Sequence, residues 1–224
     1  MERYHNLVLV GTSHIAAQSI RDVEEVIAAE TPEIVAVELD RGRFNALFAP
    51  RRKIRWGDLW KLGLLGASLN LLGAWAERKL ARIVGTTPGA EIKKAIEIGL
   101  RQKAKIALID QDIRITLSRL AKSLTWTEKG RFVKDLFKGI FIRQPALEFD
   151  LRKVPDEKTI GKLLDRVKAD YPSVHRTLVE ERNEVMARNL YKLMKTKKAV
   201  VAIVGAGHLK DLIRLIKEEG KNAA

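Results

Sequence analysis

The sequence predicts an α/β fold, a mostly parallel central sheet of about four or more strands flanked by helices, with a helical insertion or cap. Three observations predict it. The stretches Leu7–Val10, Ile34–Leu39, Lys105–Ile109 and Ala199–Val204 are short apolar runs rich in β-branched residues. They lack the polar alternation of a half-exposed sheet, so they read as strands buried on both faces, as in a parallel sheet covered by helices. Helical patterns separate them, and strand–helix–strand at this spacing is a βαβ unit. Each run also ends in polar residues, namely His14, Glu38 with Asp40, Asp110 with Asp112, and His208.

A chain of 224 residues, 46% of them hydrophobic, can bury a sizeable core and suits a single α/β domain over residues 1–224. An apolar helical insertion at 56–87 and a helical region at 126–197 are placed between the strands. The formal charge of +14 favours acidic partners such as nucleic acid, anionic lipid or an acidic protein, and is silent about the fold. The absence of cysteine excludes disulfides and thiolate metal sites. The polar stretch Met1 to His5 leads straight into a strand and is no signal peptide, so a cytoplasmic protein is expected.

The elements follow in order. The first strand ends in Gly11-Thr12-Ser13-His14, after which Ile20, Val23, Val26 and Ile27 fall at helical spacing. Thr31-Pro32 ends that helix, because proline disfavours helix in the residue before it. The second strand, up to Asp40, gives way to a basic stretch from Arg41 to Arg55, interrupted by Pro50. The apolar core Leu62–Ala76 of the segment Leu59–Ala76 is shorter than the roughly 20 residues a spanning helix needs, so a buried or partner-covered helix is expected. That much apolar surface implies a homo-oligomer through Leu59–Ala76. Thr87 as N-cap and Pro88 at the first helical position start a helix over Glu91–Lys103. After the third strand, Asp112 caps a helix over Ile113–Leu124, and Thr125-Trp126-Thr127-Glu128 has the capping-box spacing of another. Phe132–Tyr171 is charged and helical in pattern, and a long helix over Ser173–Lys195 precedes the last strand. That strand stops at Gly205-Ala206-Gly207-His208, and Leu209, Leu212, Ile213, Leu215 and Ile216 mark a closing amphipathic helix.

Ligands of a doubly wound sheet bind outside the carboxyl ends of its strands. If the four strands are parallel neighbours, two imidazoles and one or two carboxylates share one crevice. Such a set suits a divalent metal such as zinc, manganese or cobalt; it equally suits metal-free general-base catalysis. Gly11, Gly205 and Gly207 let the backbone turn sharply and a substrate come close. Plainer roles stand beside these. A histidine after a strand often serves structure. Glu38 could pair with an arginine, though exposure at a strand end is the expectation. Asp112 reads as an N-cap, Glu91 as a partner of the helix dipole and Arg182 as a solvated ion-pair residue. His5 and His175 are read as structural. The run Gly205 to Lys210 fits a dinucleotide fingerprint poorly, because Lys210 holds the third glycine's place on the final strand, and there is no P-loop. No nucleotide is expected.

An ordered set of stretches resembles the TraB/PrgY family, known from pheromone-shutdown proteins. The set comprises Gly11-Thr12-Ser13-His14, Val37-Glu38-Leu39-Asp40 with Arg43, Pro88-Gly89-Ala90-Glu91, and Leu108-Ile109-Asp110-Gln111-Asp112-Ile113 with Thr116-Leu117. Glu181-Arg182-Asn183 with Met186-Ala187, and Val204-Gly205-Ala206-Gly207-His208, complete it. The wider group includes the Tiki proteins, viewed as metal-dependent proteases, and is similar to erythromycin esterase and ChaN-like folds. The resemblance implies an active site and metal-ligand set of His14, Glu38 and His208, with Arg182 as a further catalytic candidate. Gly11, Glu91, Asp110, Gly205 and Gly207 are the substrate-side candidates. Two departures stand out: Gln111 and Asn183 occupy places where arginine and aspartate are expected, and no membrane-spanning stretch follows Gly220, as in a soluble form or an excised domain.

Two functions compete. One is a metal-dependent hydrolase of a peptide or small amide, in which Arg182 steadies an oxyanion. The other is a non-enzymatic module that sequesters a peptide or docks on an anionic membrane surface, motivated by the charge and by Leu59–Ala76. Nucleic acid is the least supported partner, since no reading motif or interleaved aromatics accompany the basic surface.

Overall fold

Five strands form one sheet in the order β1-β2-β5-β3-β4, with β1 Glu2–Tyr4, β2 Leu7–Thr12, β3 Ile34–Val37, β4 Lys105–Leu108 and β5 Val200–Gly205. This computed structural model describes residues 1–12, 17–49, 89–141 and 157–222. His14, the segment Leu59–Ala76, the insertion at 56–87, Thr87 and Pro88 lie outside the described residues. Strands β2, β5, β3 and β4 are parallel, in the register Val10↔Ile203 and Ile203↔Val37↔Leu108. Strand β1 is antiparallel to β2, and its polar sequence gave no apolar run to announce it. A two-residue turn with His5 at φ 51° joins the pair.

Each buried strand feeds both faces of the sheet, because successive side chains point opposite ways. Leu7, Leu9, Ala202 and Val204 pack with Met186, Leu190, Leu212 and Ile216 on one face. Val8, Val10, Val201 and Ile203 pack with Val23, Ile27, Ile92 and Ile96 on the other. The second face is covered by α1 Ala17–Glu30 and α3 Ala90–Arg101, with α2 Arg41–Phe48 between them in sequence. Helices α4 Ile113–Ser123, α5 Trp126–Phe141 and α6 Glu157–Asp170 follow β4. A continuous helical stretch comprises α7 Pro172–His175, a π-helical turn Arg176–Glu180 and α8 Glu181–Met194. After β5 come a 3₁₀ turn, Ala206–His208, and α9 Leu209–Asn222. No helix among the described residues is long and apolar enough to cross a membrane.

Local chemistry explains the boundaries, with two corrections to the expected ones. Gly89, not Thr87, is the N-cap of α3: its φ of 80° is the left-handed conformation that glycine alone adopts freely, and it moves the helix start to Ala90. The basic stretch after the second strand contains α2, capped by Asp40, whose Oδ1 accepts from Gly42 N at 2.7 Å and Arg43 N at 3.0 Å. The capping box before α5 forms in full. Glu128 N donates to Thr125 Oγ1 at 3.2 Å, and Thr125 N donates to Glu128 Oε2 at 2.9 Å. Oε1 of Glu128 also accepts from Ser173 N at 2.7 Å, so one carboxylate ties the starts of α5 and α7.

Two predictions follow from this packing. A Cβ at Gly99 would lie 2.9 Å from Val35 Cγ2 and 3.1 Å from Ile106 Cδ1, so Gly99 is where α3 settles on the sheet. Gly99→Ala should therefore destabilise by about 1–3 kcal/mol in urea unfolding, despite alanine's better helix propensity. Burial opposes ionisation of Glu128, but the hydrogen bonds from Thr125 and Ser173 outweigh it and lower its carboxyl from 4.5 to about 2. A depressed folded-state value gives stability that is complete above pH 4.5 and is lost as pH falls toward 2. In thermal melts Glu128→Gln should thus be less stable than the parent at pH 7, with a gap that closes as the pH is lowered through this window.

Candidate functional site

The parallel strands release their polar ends along one edge, and the described residues there form a buried ionic cluster. Glu38, just beyond β3, is 5% exposed, contrary to the expectation of a solvent-facing strand end. Among the described residues its burial is compensated by Gly205, Arg182 and His208. Gly205 N donates to Oε2 at 2.6 Å, the Arg182 guanidinium bonds Oε1, and His208 Nε2 lies 3.5 Å from Oε1. A carboxylate can be taken out of water only with such compensation.

Arg182 is the hub. From the first turn of α8 its Nε reaches Asp110 Oδ1 at 3.1 Å and its Nη2 reaches Asp110 Oδ2 at 2.6 Å, a bidentate fork, while Nη2 also bonds Glu38. Nη1 donates to Leu178 O at 3.1 Å, a carbonyl of the π-helical turn. With a side chain 15% exposed, Arg182 is not the solvated helix-surface arginine that a charge-rich helix suggests. Asp110 also bonds Arg43, which in turn donates from Nε to Asp40 Oδ2 at 2.6 Å. Burial pushes the Asp110 carboxyl up, but hydrogen bonds and charge from Arg182 and Arg43 prevail and hold it below its ordinary value of 3.8. Burial likewise opposes the charge on Arg182, and Asp110 and Glu38 more than restore it.

His208 ends the 3₁₀ turn after β5. Its Nδ1 lies 2.6 Å from Asn183 Oδ1, and an amide oxygen only accepts, which assigns the proton to Nδ1 and turns Nε2 toward Glu38. Gly11 makes this turn possible, since a Cβ there would stand 3.2 Å from Ala206 Cα. Gly205 serves the cluster through its N–H on Glu38, and Gly207 lines an adjoining cleft. Glu91 is buried in the first turn of α3, at 2% exposed. Asp112 is the N-cap of α4, bonding Arg114 N at 2.8 Å. His175 is buried and sits 3.2 Å from Glu180. Glu38, Asp110, Arg182 and His208 are thus brought together from four elements, while His14 lies outside the described residues.

Sequence reasoning missed two members of the cluster as individuals. Arg43 stood in a basic stretch and beside Asp40 in one of the family-like stretches, with no role of its own; its spacing of three from Asp40, a helix cap, was the available signal. Asn183 stood only as a departure from a pattern, and nothing in its neighbours announced an imidazole partner. At Glu38, Oε1 accepts from Arg182 and Oε2 from Gly205 N, and a carboxylate with about four lone-pair sites keeps acceptor capacity beyond these two bonds. Among the described residues no group of three His, Cys, Asp or Glu could hold an ion.

Asp110 is the shared counter-charge of two arginines, so Asp110→Ala should cost about 3–5 kcal/mol in urea unfolding by leaving Arg182 with Glu38 alone and Arg43 with Asp40 alone. Arg43→Ala, which leaves Asp110 the fork from Arg182, should cost clearly less.

The family model described as TraB/PrgY/gumN matches residues 3–223. The chain is 37% identical over 216 residues to an uncharacterized protein of Methanocaldococcus jannaschii, covering 95% of this chain and 54% of that protein. It is 25% identical over 228 residues to the TraB domain-containing proteins of Homo sapiens and Mus musculus, covering 90% of this chain and 60% of each of them. The chain therefore spans little more than half the length of these relatives. With nearly every residue inside the matched region, the chain belongs to the TraB/PrgY/gumN family.

Proposed function

We propose that the chain is a hydrolase of a peptide or small amide whose water is activated at His208. One observation carries this reading: His208 Nε2 stands 3.5 Å from Glu38 Oε1, beside a carboxylate held from two other sides by Arg182 and Gly205. An imidazole with a fixed Nδ1 proton and a carboxylate beside Nε2 is equipped for general-base work. Nε2 takes a proton from water as its oxygen attacks the carbonyl carbon. Glu38 steadies the imidazolium so formed, and the proton then passes to the leaving amine as the C–N bond breaks. Arg182 holds Glu38 ionised and in place. Most of its N–H groups are engaged by Glu38, Asp110 and Leu178 O, so its part is positioning more than oxyanion binding.

The metal-dependent form of the reaction would use His14, Glu38 and His208 as ligands, with the ion supplying the Lewis acidity that activates water.

The test is cleavage of a mixed pool of quenched-fluorescent peptides by the chelator-dialysed protein, alone and with manganese, cobalt or zinc. His208→Ala should lower turnover by about 10²–10⁴-fold with its thermal melt unchanged, and Glu38→Gln should lower turnover as far while also melting earlier, since it weakens the bond to Arg182. Turnover that needs added metal would move water activation to the ion. Peptide retained but never cleaved would leave a sequestering module in place of an enzyme.

A further inference from the structure

Beside the ionic cluster a cleft of about 580 Å³ opens between α6, the helical stretch that carries Asn183, and the turn after β5. That volume suits a small-molecule or peptide-segment site. Asn183 lines it and is only 1% exposed. Its Oδ1 is taken by His208, yet its Nδ2 is buried with no hydrogen-bond partner among the described residues. Buried donors are almost always paired in folded proteins, so an unpaired one beside a cleft points to an acceptor that enters with a ligand. The walls do not select an ion of either sign. Lys168 pairs with Glu180 at 3.2 Å and Arg214 with Asp211 at 3.4 Å, which leaves mixed charges and no concentrated field for a phosphate or a nucleotide. A neutral polar chain rich in carbonyl oxygens fits such a lining.

We propose that this cleft is the subsite for the peptide chain flanking the cleaved bond, and that Asn183 Nδ2 donates to a main-chain carbonyl oxygen seated there. The proposal rests on the reading of the cluster as a hydrolytic centre. One amide then performs two tasks: its oxygen orients His208, and its nitrogen registers the substrate against that imidazole. Every peptide supplies main-chain carbonyls, so this recognition tolerates many sequences.

Gly161 gives a clean test, because it lines the cleft and a Cβ added there meets nothing within 4 Å. Gly161→Phe should fill the space without strain, and the helix should tolerate it, since glycine is a poor helix former. The ¹⁵N-labelled protein is titrated with N-acetylglycine N-methylamide to about 10 mM, the range that reveals millimolar binding. Saturable shifts are expected at the Asn183 side-chain NH₂ and at the amides of Gly207 and Lys210. Gly161→Phe should weaken this binding by at least about tenfold with an unchanged or higher melting temperature, as loss of a burying pocket does. Asn183→Asp, which keeps an oxygen for His208 and removes the donor, should weaken it by about five- to tenfold. No saturable shift in the cleft, or binding that Gly161→Phe leaves unchanged, overturns the proposal. The two readings fail separately. Probe bound in the cleft with no peptide cleaved in the pool removes the hydrolase and keeps the subsite. Cleavage with an unchanged KM in Gly161→Phe keeps the hydrolase and removes the subsite.

Discussion

The double grip of Arg182 on Glu38 and Asp110 is the interaction on which the arrangement depends. It joins the ends of two neighbouring strands, β3 and β4, to a helix that lies far along the chain. Glu38 and Asp110 are buried and Arg182 is largely withdrawn from solvent, so each charge would be costly alone. The cluster exists only while the sheet edge and the start of α8 stay in register, and it penalises any packing that separates them. A hydrophobic contact in the same place would hold the elements together without fixing the orientation of a carboxylate. The fork geometry of a guanidinium fixes it to within a hydrogen bond.

The topology brings these distant residues to one place. Because β5 is the last strand yet lies between β2 and β3, its C-terminal turn carries His208 into the middle of the sheet edge. Glu38 and Asp110 then stand on one side of it and Gly11 on the other. The π-helical turn Arg176–Glu180 belongs to the same design. It precedes α8 directly, and its Leu178 carbonyl accepts a bond from Arg182, so a departure from regular helix geometry anchors the residue that organises the site. Asn183, the next residue, extends the construction from charge to imidazole.

Much of this was legible in the sequence, for definite reasons. Unbroken apolar runs ending in polar residues betrayed both the parallel strands and the residues released at their ends, so Glu38, Asp110 and His208 could be grouped without coordinates. The capping box at Thr125 and Glu128 and the N-cap at Asp112 are local hydrogen-bond patterns and were read locally. What stayed hidden was nonlocal. Helical periodicity places Arg182 among charges and says solvent; only the strand ends packed against α8 make it buried. The burial of Glu38 was misjudged for the same reason, since its compensating partners lie more than a hundred residues away. The polar β1 strand is held by its neighbour's unpaired edge, a signal absent from its own residues. The start of α3 lies at Ala90 because the backbone conformation of the Gly89 cap decided it.

Membership of the TraB/PrgY/gumN family gives the chain its relatives, and the ionic cluster gives it a candidate site. The most direct measurement is a double-mutant cycle on unfolding free energy with Glu38→Gln and Arg182→Met. If Arg182 and Glu38 act as one desolvated unit, the two changes should be non-additive by about 1.5–3 kcal/mol, near the upper range for residues in contact. Effects that simply add, within about 0.5 kcal/mol as for independent sites, would contradict it.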